Sequence, residues 1–130
     1  MKKFYVLFVV LLGVSFLSAS TPKNNTRETI DWVKAEENYK ADLKSDNNGV
    51  VTSAANYVRK YNLTGAVDEL TSLLTQDNTE TVKMSAALAL VSVGGEKGRT
   101  AVENASETEE SEVLVAFYRS ILSATLTAQQ

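Results

Sequence analysis

The chain has 130 residues, with 13 basic and 16 acidic side chains for a net charge of −3, one proline, and neither cysteine nor histidine. Without the last two, serine–histidine triads, cysteine–histidine dyads, and zinc or haem sites built on thiolate or imidazole are all excluded. The basic residues are dispersed and outnumbered, which does not suit a nucleic-acid partner.

Lys2 and Lys3 precede an apolar stretch from Phe4 to Leu17, which the small residues Ser18, Ala19 and Ser20 close. That order is the one a secretory signal peptide has. As a helix the apolar stretch would span roughly 21 Å, short of the ~30 Å hydrocarbon core of a bilayer, so it reads as a cleaved leader rather than an anchor. Cleavage is expected after Ser20 or after Ala19. The mature chain would carry 11 basic and 16 acidic residues and be periplasmic or secreted, with no membrane insertion once the leader is removed. Residues 21–27 contain the only proline and no apolar side chain, and read as a flexible leader to a helical domain over 28–130.

A first helix is expected from Glu28, capped by Asn25 or Thr26, with Trp32, Ala35, Tyr39 and Leu43 on one face. The Asn47-Asn48-Gly49 cluster ends it. A second helix places Val50, Ala54, Tyr57, Val58 and Tyr61 along one side, and Asn62 closes it in a left-handed conformation. A third starts near Thr64 and carries Val67, Leu70, Leu73 and Leu74, up to the turn Asp77-Asn78-Thr79. The fourth begins with Glu80 in its first turn, buries Val82, Ala86, Ala89, Leu90 and Val93, and stops at Gly94-Gly95. A fifth, shorter helix holds Ala101, Val102 and Ala105. Ser106 with Glu109 reads as a capping box that opens a last helix, with Val113, Ala116, Phe117, Ile121 and Ala124 inward. No strand pattern competes.

The apolar positions repeat. Val82, Ala86, Leu90 and Val93 reappear 31 residues on as Val113, Phe117, Ile121 and Ala124, and Val50, Ala54, Val58 and Tyr61 precede them by 32. Three helix pairs stacked as a short all-α solenoid of helical hairpins account for this, and an irregular helical bundle is the alternative. Residues 64 to 105, from Ala66-Val67-Asp68-Glu69-Leu70 through Leu74, a polar turn and then Val82 to Gly94, resemble the HEAT-like repeat of the phycobilisome-lyase type. The second helix of that repeat reads Val-x-x-x-Ala-x-x-Ala-Leu-x-x-Val-Gly. The resemblance implies two to three HEAT-like repeats acting as a scaffold. It carries no catalytic motif, since the relatives named for bilin attachment serve a cysteine-bound chromophore.

What chemistry remains is thin. Asp68-Glu69 and Glu109-Glu110-Glu112 could supply the paired carboxylates of a hydrolase, but acidic residues in the first turn of a helix are explained by its dipole. Gly94-Gly95 and Gly98 lack the Lys-Ser/Thr ending of a phosphate loop. Asp77-Asn78-Thr79-Glu80 lacks the ligand spacing of a calcium loop. No catalytic, cofactor or metal site is therefore assigned. The second helices of a solenoid line its concave side, and there Asn56, Arg59, Lys60, Lys83, Tyr118 and Arg119 form a candidate strip for a protein or peptide partner. The function expected is a noncatalytic binding or scaffold module outside the cytoplasm; a carboxylate-dependent hydrolase and a structural component of an envelope assembly are the alternatives.

Overall fold

The computed structural model describes residues 29–129, so the expected signal peptide and leader lie outside the described residues. Among those described there are six helices and no strand: α1 (Trp32–Asp42), α2 (Asn48–Tyr61), α3 (Val67–Thr75), α4 (Glu80–Val93), α5 (Gly95–Thr108) and α6 (Glu112–Thr127), with a 3-10 turn at Thr64–Ala66 leading into α3. All lie in one compact unit, Asp31–Gln130.

The even helices begin on side-chain caps that recur at a fixed interval. Asn47 accepts from the N–H groups of Gly49 (2.9 Å) and Val50 (3.3 Å); Thr79 accepts from Val82 N–H and Ser111 from Leu114 N–H, both at 3.4 Å. Each cap satisfies donors that a helix start leaves without a partner. Asn47, Thr79 and Ser111 are 32 residues apart. The apolar rows follow the same interval, for Ala54, Ala86 and Tyr118, and likewise Val58, Leu90 and Leu122, are buried.

The packing matches this register. α2, α4 and α6 lie side by side in that order, while α1 meets the 3-10 turn and α3 meets α5 in the other layer. Helix α4 touches α2, α3, α5 and α6, and Val82, Ala86, Ala87, Ala89, Leu90 and Val93 along it are buried. Its alanines allow those neighbours to approach. The expected turn at Asp77-Asn78-Thr79, the core rows of α3 and α4, and the left-handed Asn62 (φ 53°) all appear as read from the sequence.

Four expectations are corrected. First, α1 starts at Trp32 on the Asp31 carboxylate, which accepts from Lys34 N–H at 3.2 Å; residues 29–31 are not helical, and Asn25 and Thr26 lie outside the described residues. Second, α5 is not short. It begins directly at Gly95, whose φ of +54° suits glycine, and runs through Gly98 to Thr108. Third, Ser106 caps nothing, because it lies inside α5 and its hydroxyl donates to the Glu103 carbonyl at 2.7 Å. Ser111 opens α6 instead, so the spacing to α4 is 32 rather than 31 and the buried row is Leu114, Tyr118 and Leu122. Val113 is 58 % exposed, Ala116 and Ala124 are exposed, and Phe117 and Ile121 pack only partly against the core. Fourth, α2 buries Val51, Ala54, Ala55 and Val58, whereas Val50, Tyr57 and Tyr61 stay partly open.

Candidate interaction surface

The strip read from the sequence does not assemble. Asn56, Arg59 and Lys60 are exposed on α2, and Arg119 is exposed on α6, as a contact surface requires. Lys83 and Tyr118 are elsewhere. Lys83 stands 32 residues after the buried Val51, so its stem enters the helix contact and its ammonium needs a partner. That partner is Glu109, at 2.8 Å, with only 14 % and 12 % of the two side chains exposed. The same carboxylate accepts from Glu110 N–H (3.1 Å) and Ser111 N–H (3.3 Å). The hydrogen bond from Lys83, which outweighs the cost of burial, holds Glu109 below the ordinary glutamate range.

Tyr118, expected on the outer flank, is the largest fully buried side chain. It occupies the position of Ala86 one repeat on, because the register of α6 is set by Ser111. Its hydroxyl meets no hydrogen-bond partner among the described residues, and burial, reinforced by the charge of Glu109, pushes the phenol up to about 12.

The acidic clusters are engaged by lysines. Asp68 and Glu69 lie in the first turn of α3, as the dipole argument requires. Asp68 meets Lys97 at 2.5 Å, which lowers its pKa, and Glu69 faces Lys40 (3.5 Å) and Lys44 (4.0 Å). Of the second cluster only Glu112 lies in a helix's first turn; Glu109 closes α5 and Glu110 sits between the helices. Among the described residues no group of three or more acidic side chains could hold a metal ion.

A different surface was missed. The α4 residues left at the surface along one side are Thr81, Met84, Ser85, Leu88 and Ser92, and 32 residues on come Val113, Ala116, Phe117, Ser120 and Ala124 of α6. On α2 the matching positions are Gly49, Thr52, Ser53, Asn56 and Lys60. Only Lys60 in this set is charged. An uncharged face of small and apolar side chains spans α4 and α6 and becomes polar at α2. A signal was present in the sequence: after Glu80, α4 carries Lys83 as its one ion, and after Glu112, α6 carries Arg119 as its one.

No family model matches this sequence, and none of the curated proteins or solved structures compared with it matches either.

Proposed function

We propose that this chain is a noncatalytic protein-binding module of HEAT-like helix pairs, acting outside the cytoplasm, which takes up a neutral, partly apolar polypeptide segment on the α4–α6 face. The observation that carries this reading is the absence of charge from that face in a chain with 29 ionisable acidic and basic side chains. Interface cores are depleted in charge and enriched in apolar and aromatic groups. Small side chains such as Ser85, Ala116 and Ser120 let a partner's backbone come close, and Met84, Leu88, Val113 and Phe117 give it apolar surface to cover. The 32-residue interval supports a repeat scaffold, whose neighbours pack in series and present continuous surfaces of this kind. The reading outside the cytoplasm rests on the segment Lys2 to Ser20. The noncatalytic reading is supported by the ion pairs that occupy Asp68, Glu69 and Glu109.

A photoreactive residue in place of Ala116, introduced in the producing cells, is expected to crosslink to a discrete partner identifiable by mass spectrometry. Ser85→Glu with Ala116→Glu should abolish the adduct and leave the helical content unchanged, since both sites lie outside the core. Arg59→Ala with Lys60→Ala should leave it largely intact. Equal adducts from a photoreactive residue at the exposed Asn104 of α5 would refute the choice of face.

A further inference from the structure

Four aromatic rings form a continuous row across α1 and α2. Tyr39 and Tyr57 stack with centroids 5.4 Å apart, Tyr57 and Tyr61 at 6.0 Å, and Trp32 tilts against Tyr61 at 5.2 Å. Trp32, Tyr57 and Tyr61 are 46 %, 43 % and 38 % exposed, and Val50, which shares a groove with Tyr39 and Tyr57, is 38 % exposed. Neighbouring rings cover one another in part, and the Lys60 ammonium lies over Tyr61, 5.4 Å from its centroid.

The repeat register says what such a face is for. Thirty-two residues on from Val50, Tyr57 and Tyr61 stand Val82, Ala89 and Val93, and all three are buried on α4, which packs against α2. This side of an even helix is therefore one that another helix covers, and among the described residues no helix pair precedes α1 and α2. The other end of the stack is closed differently. Arg119 on α6 takes the position held by Ala55 and Ala87, which are 1 % and 0 % exposed where the next helix approaches. A guanidinium at that position opposes continuation of the stack, as a capping repeat does.

We propose that two copies of this chain pair through this aromatic end about a twofold axis, the row Trp32, Tyr61, Tyr57 and Tyr39 of one lying against that of the other. Pairs of identical chains most often close about a twofold axis, with the same patch on both copies, so like meets like. Charge favours the same choice. Residues 31–62 carry five acidic and five basic side chains, whereas residues 63–129 carry ten acidic and four basic, so a twofold contact at the first pair brings no net charge together, while one at the later pairs would set acidic surfaces against each other. The area also fits. The row and Val50 leave on the order of 400 Å² of apolar surface open per copy, close to the apolar share of the ~800 Å² that each partner contributes to a standard stable interface.

Sedimentation of the full chain, as its host processes it, should show a concentration-dependent dimer, with the fluorescence of Trp32, the only tryptophan, shifting as it forms. Tyr57→Glu and, separately, Val50→Glu should weaken the dimer about tenfold or more with unchanged helical circular dichroism. Because the chain has no cysteine, any disulfide in a single-cysteine variant joins two copies: Tyr57→Cys should give a linked dimer on oxidation and Arg119→Cys should not. A chain that stays monomeric at every concentration overturns the proposal. So does a mixture of Tyr57→Cys and Arg119→Cys that crosslinks preferentially, which would mean head-to-tail assembly. So does a monomer whose Trp32 is shielded from an aqueous quencher, which would assign the face to another part of the same chain. A monomer that still forms the Ala116 adduct would refute the dimer alone and leave the partner-binding face standing.

Discussion

Gly98→Ala tests a close backbone contact between α4 and α5, and its sign is informative. Gly98 is buried in α5, and a Cβ built there overlaps the carbonyl oxygen of Leu90 and lies 3.0 Å from its carbonyl carbon. On the α4 side, a Cβ on Gly94 would come within 2.6 Å of Gly98 Cα. The end of α4 and the start of α5 therefore touch backbone to backbone. Two effects compete. Alanine is favoured over glycine in a helix interior by roughly 0.5–1 kcal/mol, while overpacking costs typically ~1–3 kcal/mol. The obstructing atoms here are backbone and cannot rotate away, so α5 must shift, and the upper part of that range applies. The expected net loss is ~1–2.5 kcal/mol, or a fall in melting temperature of roughly 5–20 °C for a domain of about this size, read by circular dichroism and urea unfolding. Thr100→Ala, exposed on the same helix, should instead be neutral or slightly stabilising. A rise in melting temperature for Gly98→Ala would show that the two helices do not meet at this point and would undo the α4–α5 packing.

Other consequences can be measured in the same way. Leu90 is fully buried at the centre of the stack, so Leu90→Ala should cost ~2–5 kcal/mol; a change within ~0.5 kcal/mol, as surface sites give, would refute the core assignment of α4. The Tyr118 hydroxyl is buried without a partner among the described residues, and Tyr118→Phe should raise stability at neutral pH by on the order of 1 kcal/mol. Because the folded-state pKa of Tyr118 is raised to about 12, the preference for neutral phenol is fully present below the unfolded value of about 10 and is lost as pH rises from there through about 12. Tyr118→Phe should remove this alkaline decline, and an unaltered decline would contradict the burial. Glu109 is held below its usual range, so its contribution is present above the unfolded glutamate pKa and disappears as pH falls through the lower folded value. Glu109→Gln should cost roughly 1–2 kcal/mol at neutral pH and little at low pH, which equilibrium unfolding across the acid range would check.

Local signals were sufficient where each of them pointed to one answer. In α3 and α4 the apolar residues fall on a single stripe, Thr79 is followed at once by a helical pattern, and two glycines stand at the end, so boundaries and core were both legible. Asn62 was legible for the same reason, as a residue that tolerates left-handed backbone at a helix end. The last repeat offered two answers. Ser106 and Ser111 lie five residues apart and both suit a helix start, and α6 is apolar nearly all round, so Val113, Phe117 and Ile121 compete with Leu114, Tyr118 and Leu122 for the inward face. A one-residue change of register turns a helix by about 100°, and periodicity cannot choose between two such rows. Contact with α4 chooses, and it takes Tyr118 and Lys83 off the candidate strip at the same time. The aromatic residues of α1 and α2 show the complementary limit. Their helical spacing marks them as one face, but whether a face is covered depends on which helix stands against it. That is a property of neighbours far apart in the sequence, so only the tertiary structure could separate the buried Val82, Ala89 and Val93 from their open counterparts Val50, Tyr57 and Tyr61.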